Sequence, residues 1–271
     1  MKTRFLSYLL IISVFAISFV SCKKDGWPCK NGSGSIQSEN RSVSGFTSLD
    51  NQAEANVYVV QGTEYSVRVE AQENLLEEVR TEMKGSELQI YTEHCINKHD
   101  PINVYITMPT ITGLTTSGSG YIATNSKISA SSIYFTVSGS GYIQLQDSVL
   151  ASSVSMTVSG SGKVDFIGEA LNTTATISGS GNVTMNGQGT VVDSGAPSSF
   201  NLVISGSGSI QAFNYPIDNC HFTMSGSGSA EVYVKESLDG TLSGSGSLLY
   251  KGNPSSVTVT VTGSGVVTHV D

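Results

Sequence analysis

Basic charge is scarce in these 271 residues: 14 Lys and Arg stand against 22 Asp and Glu, a formal net charge of −8. Removing residues 1–21 takes away Lys2 and Arg4 and no acid, which gives 12 − 22 = −10. With no basic patch and an anionic surface, nucleic acid is excluded as a partner. Histidines are equally few, His94, His99, His221 and His269. The one metal-like grouping, His94-Cys95 with His99-Asp100, has a loop spacing and no second ligand pair, so it reads as a connecting loop and no metal or cofactor is expected. The Gly-x-Ser-x-Gly nucleophile elbow is missing, and no helical pattern follows Gly118-Ser119-Gly120 to make a dinucleotide loop.

What the chain has instead is a repeat. Ser117-Gly118-Ser119-Gly120 returns at 138–141, 159–162, 178–181, 205–208, 225–228 and 243–246, and as Thr262-Gly263-Ser264-Gly265, at intervals of 21, 21, 19, 27, 20, 18 and 19 residues. Positions one, three and five before the motif are mostly apolar, as in Ile133, Phe135 and Val137, and so is the position two after it, as in Ile143. That period of two marks strands with one face buried. Between them runs an outward column of Thr115, Thr136, Thr157 and Thr176, then Val203, Thr223, Thr241 and Thr260. Six before the motif, Ser132, Ser153, Asn172, Ser199, Asn219, Ser237 and Ser256 mark a second corner, where their side chains can bond turns or the copy above and below. About 20 residues is too short for a strand plus a full helix, and suits one coil of a parallel β-helix with coils about 4.8 Å apart. The fold expected is all-β.

The N-terminus carries Lys2 and Arg4, an apolar run from Phe5 to Val20, and Ser21-Cys22. It reads as a secretory signal over 1–21 rather than a spanning helix. Phe19-Val20-Ser21-Cys22 before Lys23-Lys24-Asp25 resembles a lipobox of Bacteroidetes-type lipoproteins, which implies lipidation at Cys22. Residues 22–39 read as a flexible Gly/Ser tether. Residues 40–110 read as a less regular capping region, with strands around Val57–Val60, Tyr65–Val69, Leu88–Tyr91 and Ile102–Ile106 and a helical turn or two at Glu73–Val79. Residues 111–271 hold the repeats. Cys29 and Cys95 could pair in an oxidising compartment, at a distance the sequence leaves open. Cys220 falls in an inward column as a small core residue.

Ser42–Leu49, the Val57–Gln61 strand ending in Gln61-Gly62, Glu73–Leu76, Gly85–Leu88, the Ser-Gly-Ser-Gly series and Tyr250–Pro254 together resemble the head GIN domain of auto-transporter adhesins, over roughly 40–271. The resemblance implies a right-handed parallel β-helix in a cell-envelope protein, with adhesion as its role and no catalytic residue to carry over. The expected partners are the membrane through Cys22 and a glycan or protein ligand; a homo-oligomer is compatible with the pattern. The expected location is the cell envelope, lipid-anchored at the outer membrane. The ligand face is expected at Tyr121 and Tyr142, which occupy the same position in adjacent coils, beside the ladder of Thr115, Thr136, Thr157 and Thr176. A polysaccharide-active β-helix enzyme is the alternative, but it needs convergent carboxylates, and Asp165, Glu231 and Asp239 do not share a column on adjacent coils.

Overall fold

Alternation with a period of two becomes parallel stacking. In the computed structural model, which describes residues 29–188 and 198–271, strand Ile128–Gly139 lies between Gly113–Thr116 and Val149–Gly160. The register joins like to like, so that Phe135 faces Leu114 and Met156 while Thr136 faces Thr115 and Thr157. The same rule continues through Lys163–Gly179, Ser199–Gly206, Ser209–Gly226, Ser229–Gly244 and Ser256–Gly263. The fold is an all-β solenoid of about 7 turns, as the repeat predicts. Cys22 and the expected signal lie outside the described residues.

Each coil turns at two kinds of corner. At every Ser-Gly-Ser-Gly corner after that of Gly118 the first glycine takes a φ that L side chains rarely adopt, from +106° at Gly226 to +145° at Gly139. The second glycine is needed for space: a Cβ on Gly162 would lie 2.4 Å from the Gly141 carbonyl oxygen and 2.3 Å from Val137 Cγ1. Backbone bonding runs on through the corner, with Ser161 N–H donating to Gly139 O at 2.9 Å and Lys163 N–H to Gly141 O at 3.0 Å. At the other corner the inward parity breaks, because Ser152 drops out of the register between Ala151 and Ser153. Ser199 Oγ donates to Asn172 Oδ1 at 2.9 Å and Ser237 Oγ to Asn219 Oδ1 at 2.6 Å, so the Ser/Asn column does bond from coil to coil.

The inward columns form one continuous core. Phe135, Phe166, Phe200 and Phe222 are 0–1% exposed, and burying such rings contributes most of the drive to stack. Tyr215 enters from a register shift between Ala212 and Pro216 and is fully buried, with its hydroxyl 3.0 Å from Thr173 Oγ1. Burial pushes this phenol up to about 12. Cys220 is free and buried, and burial first, then the charge of Asp239, raises its thiol far above the reactive range.

The N-terminal end is capped by antiparallel pairing. Its strands are β1 (Ile36–Arg41), β2 (Ser48–Asn51), β3 (Asn56–Gln61), β4 (Ser66–Gln72), β5 (Val79–Lys84), β6 (Glu87–Thr92) and β7 (Asn103–Met108). β2 and β3 begin the parallel stack against Gly113–Thr116 and Tyr121–Thr124. β1 and β5 close the two edges antiparallel to β4 and β6. Order therefore starts earlier than the tether expected over 22–39: Cys29 is disulfide-bonded to Cys95 and β1 begins inside that segment. The expected helix at Glu73–Val79 is a single 3-10 turn, Glu73–Leu75, without a side-chain cap, since the side chain of Gln72 accepts from Asp100 N–H at 2.9 Å.

Candidate functional site

Tyr121 and Tyr142 do stand one above the other, with ring centroids 5.4 Å apart and a 45° tilt that makes the gap wider than the strand spacing. The ladder is longer than the repeats show. Tyr58 on β3 stacks on Tyr105 on β7 at 5.3 Å and 21°, and meets Tyr121 edge-on at 6.4 Å. Asn56 Nδ2 donates to Asn103 Oδ1 at 3.1 Å beside them. The signal for this pair was present in the sequence: Asn56-Val57-Tyr58 recurs as Asn103-Val104-Tyr105.

Both ends of the ladder are covered by cations. The Arg68 guanidinium lies 4.2 Å from the Tyr105 centroid and the Lys163 ammonium 5.2 Å from that of Tyr142. The Tyr121 hydroxyl donates to Gln144 Oε1 at 2.5 Å, and the Tyr142 hydroxyl donates to the Asp165 carboxylate, which also accepts from Lys163 at 2.9 Å. Burial and then the Asp165 hydrogen bond push the Tyr142 phenol far up, so it stays a neutral donor. These half-buried rings therefore offer edges to a ligand rather than faces. Beside them an open cleft of about 330 Å³ is lined by Glu54, Asn56, His99, Pro101, Ser119 and Tyr121.

The threonine ladder is on the other side of the Ser-Gly-Ser-Gly corner and is in register: Thr115, Thr136, Thr157 and Thr176 stack in order, followed by Val203 and Thr223. It is one row of a wider sheet. Flanking it are the Ser/Asn row, the row Tyr134, Ser155, Thr174, Asn201, His221, Asp239 and Thr258, and the row of first serines from Ser138 to Ser243 ending in Thr262. On a chain of −8, these rows carry no Lys, Arg or Glu from Thr115 onward. Their one carboxylate there, Asp239, lies 2.5 Å from His221 Nδ1, and where the rows run on into the cap Asp50 stacks on Thr115 and Glu87 on Ser48.

The remaining candidates resolve differently. Cys95 is spent in the disulfide with Cys29, Cα to Cα 4.7 Å. His94 Nδ1 lies 2.7 Å from Glu78, and His99 Nδ1 lies 2.7 Å from Asp100 O, so the side chains do not converge. Among the described residues no group of three or more His, Cys, Asp or Glu could hold a metal ion. Asp165 and Glu231 share a column, but Thr184 and Gln211 separate them, and Asp239 is on another side of the coil. The irregular 182–204 insertion in the 27-residue repeat, with Gly187, Gly189 and Gly195, predicts a protruding loop, but Gly187 is stacked in the solenoid: a Cβ there would meet the Gly168 carbonyl oxygen at 2.0 Å. Gly189 and Gly195 lie outside the described residues.

The family model described as "Putative auto-transporter adhesin, head GIN domain" matches residues 45–187 and 182–254. Among solved structures, "a putative adhesin" from Parabacteroides merdae is similar at 19% identity and a TM-score of 0.81, over 89% of this chain and 99% of that one. A "putative lipid binding protein" from Parabacteroides distasonis gives 22%, 0.81, 90% and 100%, and a "putative adhesin" from the same species gives 24%, 0.81, 89% and 99%. No curated protein matches.

Proposed function

The chain belongs to the family of auto-transporter adhesin head GIN domains, and on that premise we propose that it is a lipid-anchored envelope protein whose solenoid binds a glycan or protein partner along its hydroxyl sheet. The observation that carries this is the sheet itself: in-register rows of Thr, Ser and Asn on a continuous core, with Asp239 the one carboxylate in those rows from Thr115 onward. Such a surface matches a ligand rich in neutral hydroxyls or amides, and its rigidity keeps the ordering cost of binding low. The tyrosine ladder is the secondary contact, through its edges and through Asn56. Lipidation at Cys22 would supply the attachment; no described helix is long and apolar enough to cross a membrane.

The test is binding of the detergent-solubilised full chain to an array of glycans and matrix proteins, with a turnover assay on polysaccharides alongside. Specific binding without product release supports an adhesin, and product release supports the enzyme alternative. Thr136→Lys with Thr157→Lys should abolish the binding. Tyr121→Ala with Tyr142→Ala should weaken it less, with the fold retained in both. Undiminished affinity in the folded threonine variant would remove the sheet as the site.

A further inference from the structure

The two ends of the solenoid are built differently. At the N-terminal end the edge strands carry charge, Glu39 and Arg41 on β1, and Arg80, Glu82 and Lys84 on β5, which is how natural sheets stop edges from pairing. At the C-terminal end, Ser256–Gly263 is paired on one side only, with Ser229–Gly244, and Val266–His269 only with Ser247–Lys251. From Gly252 to Val270 the chain has no Asp, Glu, Lys or Arg. The inward columns that bury Leu238 and Leu242 at 0–1% exposure leave Val257 at 47% and Val261 at 44%. A row of unpaired backbone groups beside a row of valines is complementary to another strand, since only a strand satisfies both.

We propose that this end docks against the same end of a second copy, by antiparallel pairing of Ser256–Gly263 with its own counterpart about Val259. The sequence is palindromic there: Val257-Thr258-Val259-Thr260-Val261 reads the same in both directions. A two-fold through Val259 places Val257 opposite Val261 and Thr258 opposite Thr260, so every inward valine meets a valine and both core columns continue across the junction. Two anionic copies repel least where charge is sparse, and after Lys251 the only Asp, Glu, Lys or Arg in this sequence is Asp271. The stack stops at two, because the charged, antiparallel caps then face outward at both poles. A single coil is smaller than the roughly 20–30 residues a side of a standard interface, so the dimer is weak and concentration-dependent. If the chain is tethered at its N-terminus, as proposed above, the two tethers leave from opposite poles, the arrangement of copies carried on two facing surfaces.

The test uses the full chain in detergent. Val259→Cys should give a disulfide-linked dimer under mild oxidation, and Ser138→Cys, exposed on an inner coil, should not. In sedimentation the native chain should move from monomer to dimer with concentration. Val261→Lys should weaken that association about tenfold or more, as an unpaired charge in a forming core does. Adding Val257→Glu should restore it, because positions 257 and 261 meet only across the two-fold; a coil that had merely frayed would not be rescued. A chain that stays monomeric up to about 1 mM, absence of the cross-link in the Val259→Cys variant, or failure of the double variant to recover would each overturn the proposal. Detergent experiments do not depend on Cys22, so this outcome is independent of the anchoring reading.

Discussion

Replacing Gly160 by Ala should destabilise the protein through two separable effects, and two other glycines isolate them. Gly45 has φ +85° and nothing within 4 Å of an added Cβ, so Gly45→Ala has conformational strain alone. That strain is about 1–2 kcal/mol, reduced by the lower entropy of the unfolded alanine chain to about 1 kcal/mol net. Gly162 is not among the positive-φ glycines, but its Cβ would press on the Gly141 oxygen at 2.4 Å. The overlap can be relieved only by separating coils whose hydrogen bonds fix their spacing, at about 2–3 kcal/mol. Gly160 has φ +132° and 2.5 Å to the Gly139 oxygen, so both effects act and the loss should reach about 3–4 kcal/mol. Urea midpoints read by circular dichroism, with the slope checked for constancy, give the order. Equal losses at 45 and 160, or no loss at 162, would refute the division of labour between the two corner glycines.

Phe135→Ala and Phe222→Ala, both fully buried, should each lose about 3–5 kcal/mol, and outward Thr136→Ala no more than about 0.5–1 kcal/mol; equal losses at 135 and 136 by denaturant midpoint would contradict the register. Burial raises the Glu78 carboxyl, but hydrogen bonds from Lys30 and His94 more than reverse this and hold it below its ordinary 4.5. The stability it contributes is therefore present above that value and lost as pH falls through the folded pKa. Thermal melts of Glu78→Gln should accordingly show a flatter acid limb than the native chain, and an unchanged limb would remove Glu78 from the acid response. Cys22→Ala should shift the protein out of the membrane fraction, and a variant still wholly in membranes would defeat the lipid anchor.

The inward columns and both corners were legible because each coil repeats the same contacts, so eight noisy copies average to a clear period. The cap was less legible because its pairings are not repeated. β1 is exposed from Ile36 to Asn40 with no alternation to read, since it is an edge strand lying antiparallel on β4. Tyr58 and Tyr105 join the ladder through the parallel pairing of β3 with β7, across a gap of 47 residues, marked only by one repeated tripeptide. The tyrosine and threonine columns were legible, but the occupancy of the ring faces was not. That depends on Arg68 and Lys163, whose reach over the rings is a matter of rotamer rather than of sequence period.

The disulfide between Cys29 and Cys95 closes a loop with a sequence separation of 66, and that loop lies outside any path of mechanical tension. A pull arriving from residues before Cys29 crosses the sulfur bridge directly to Cys95, leaving β1 to β6 slack. The cap strands cannot be unzipped one by one, and the load enters the fold just ahead of β7, which is hydrogen-bonded on both sides by β3 and β4. Under reducing conditions the same pull would first part the short bridge of Lys30 with Ile96 and then peel β1, an edge strand held by β4 alone.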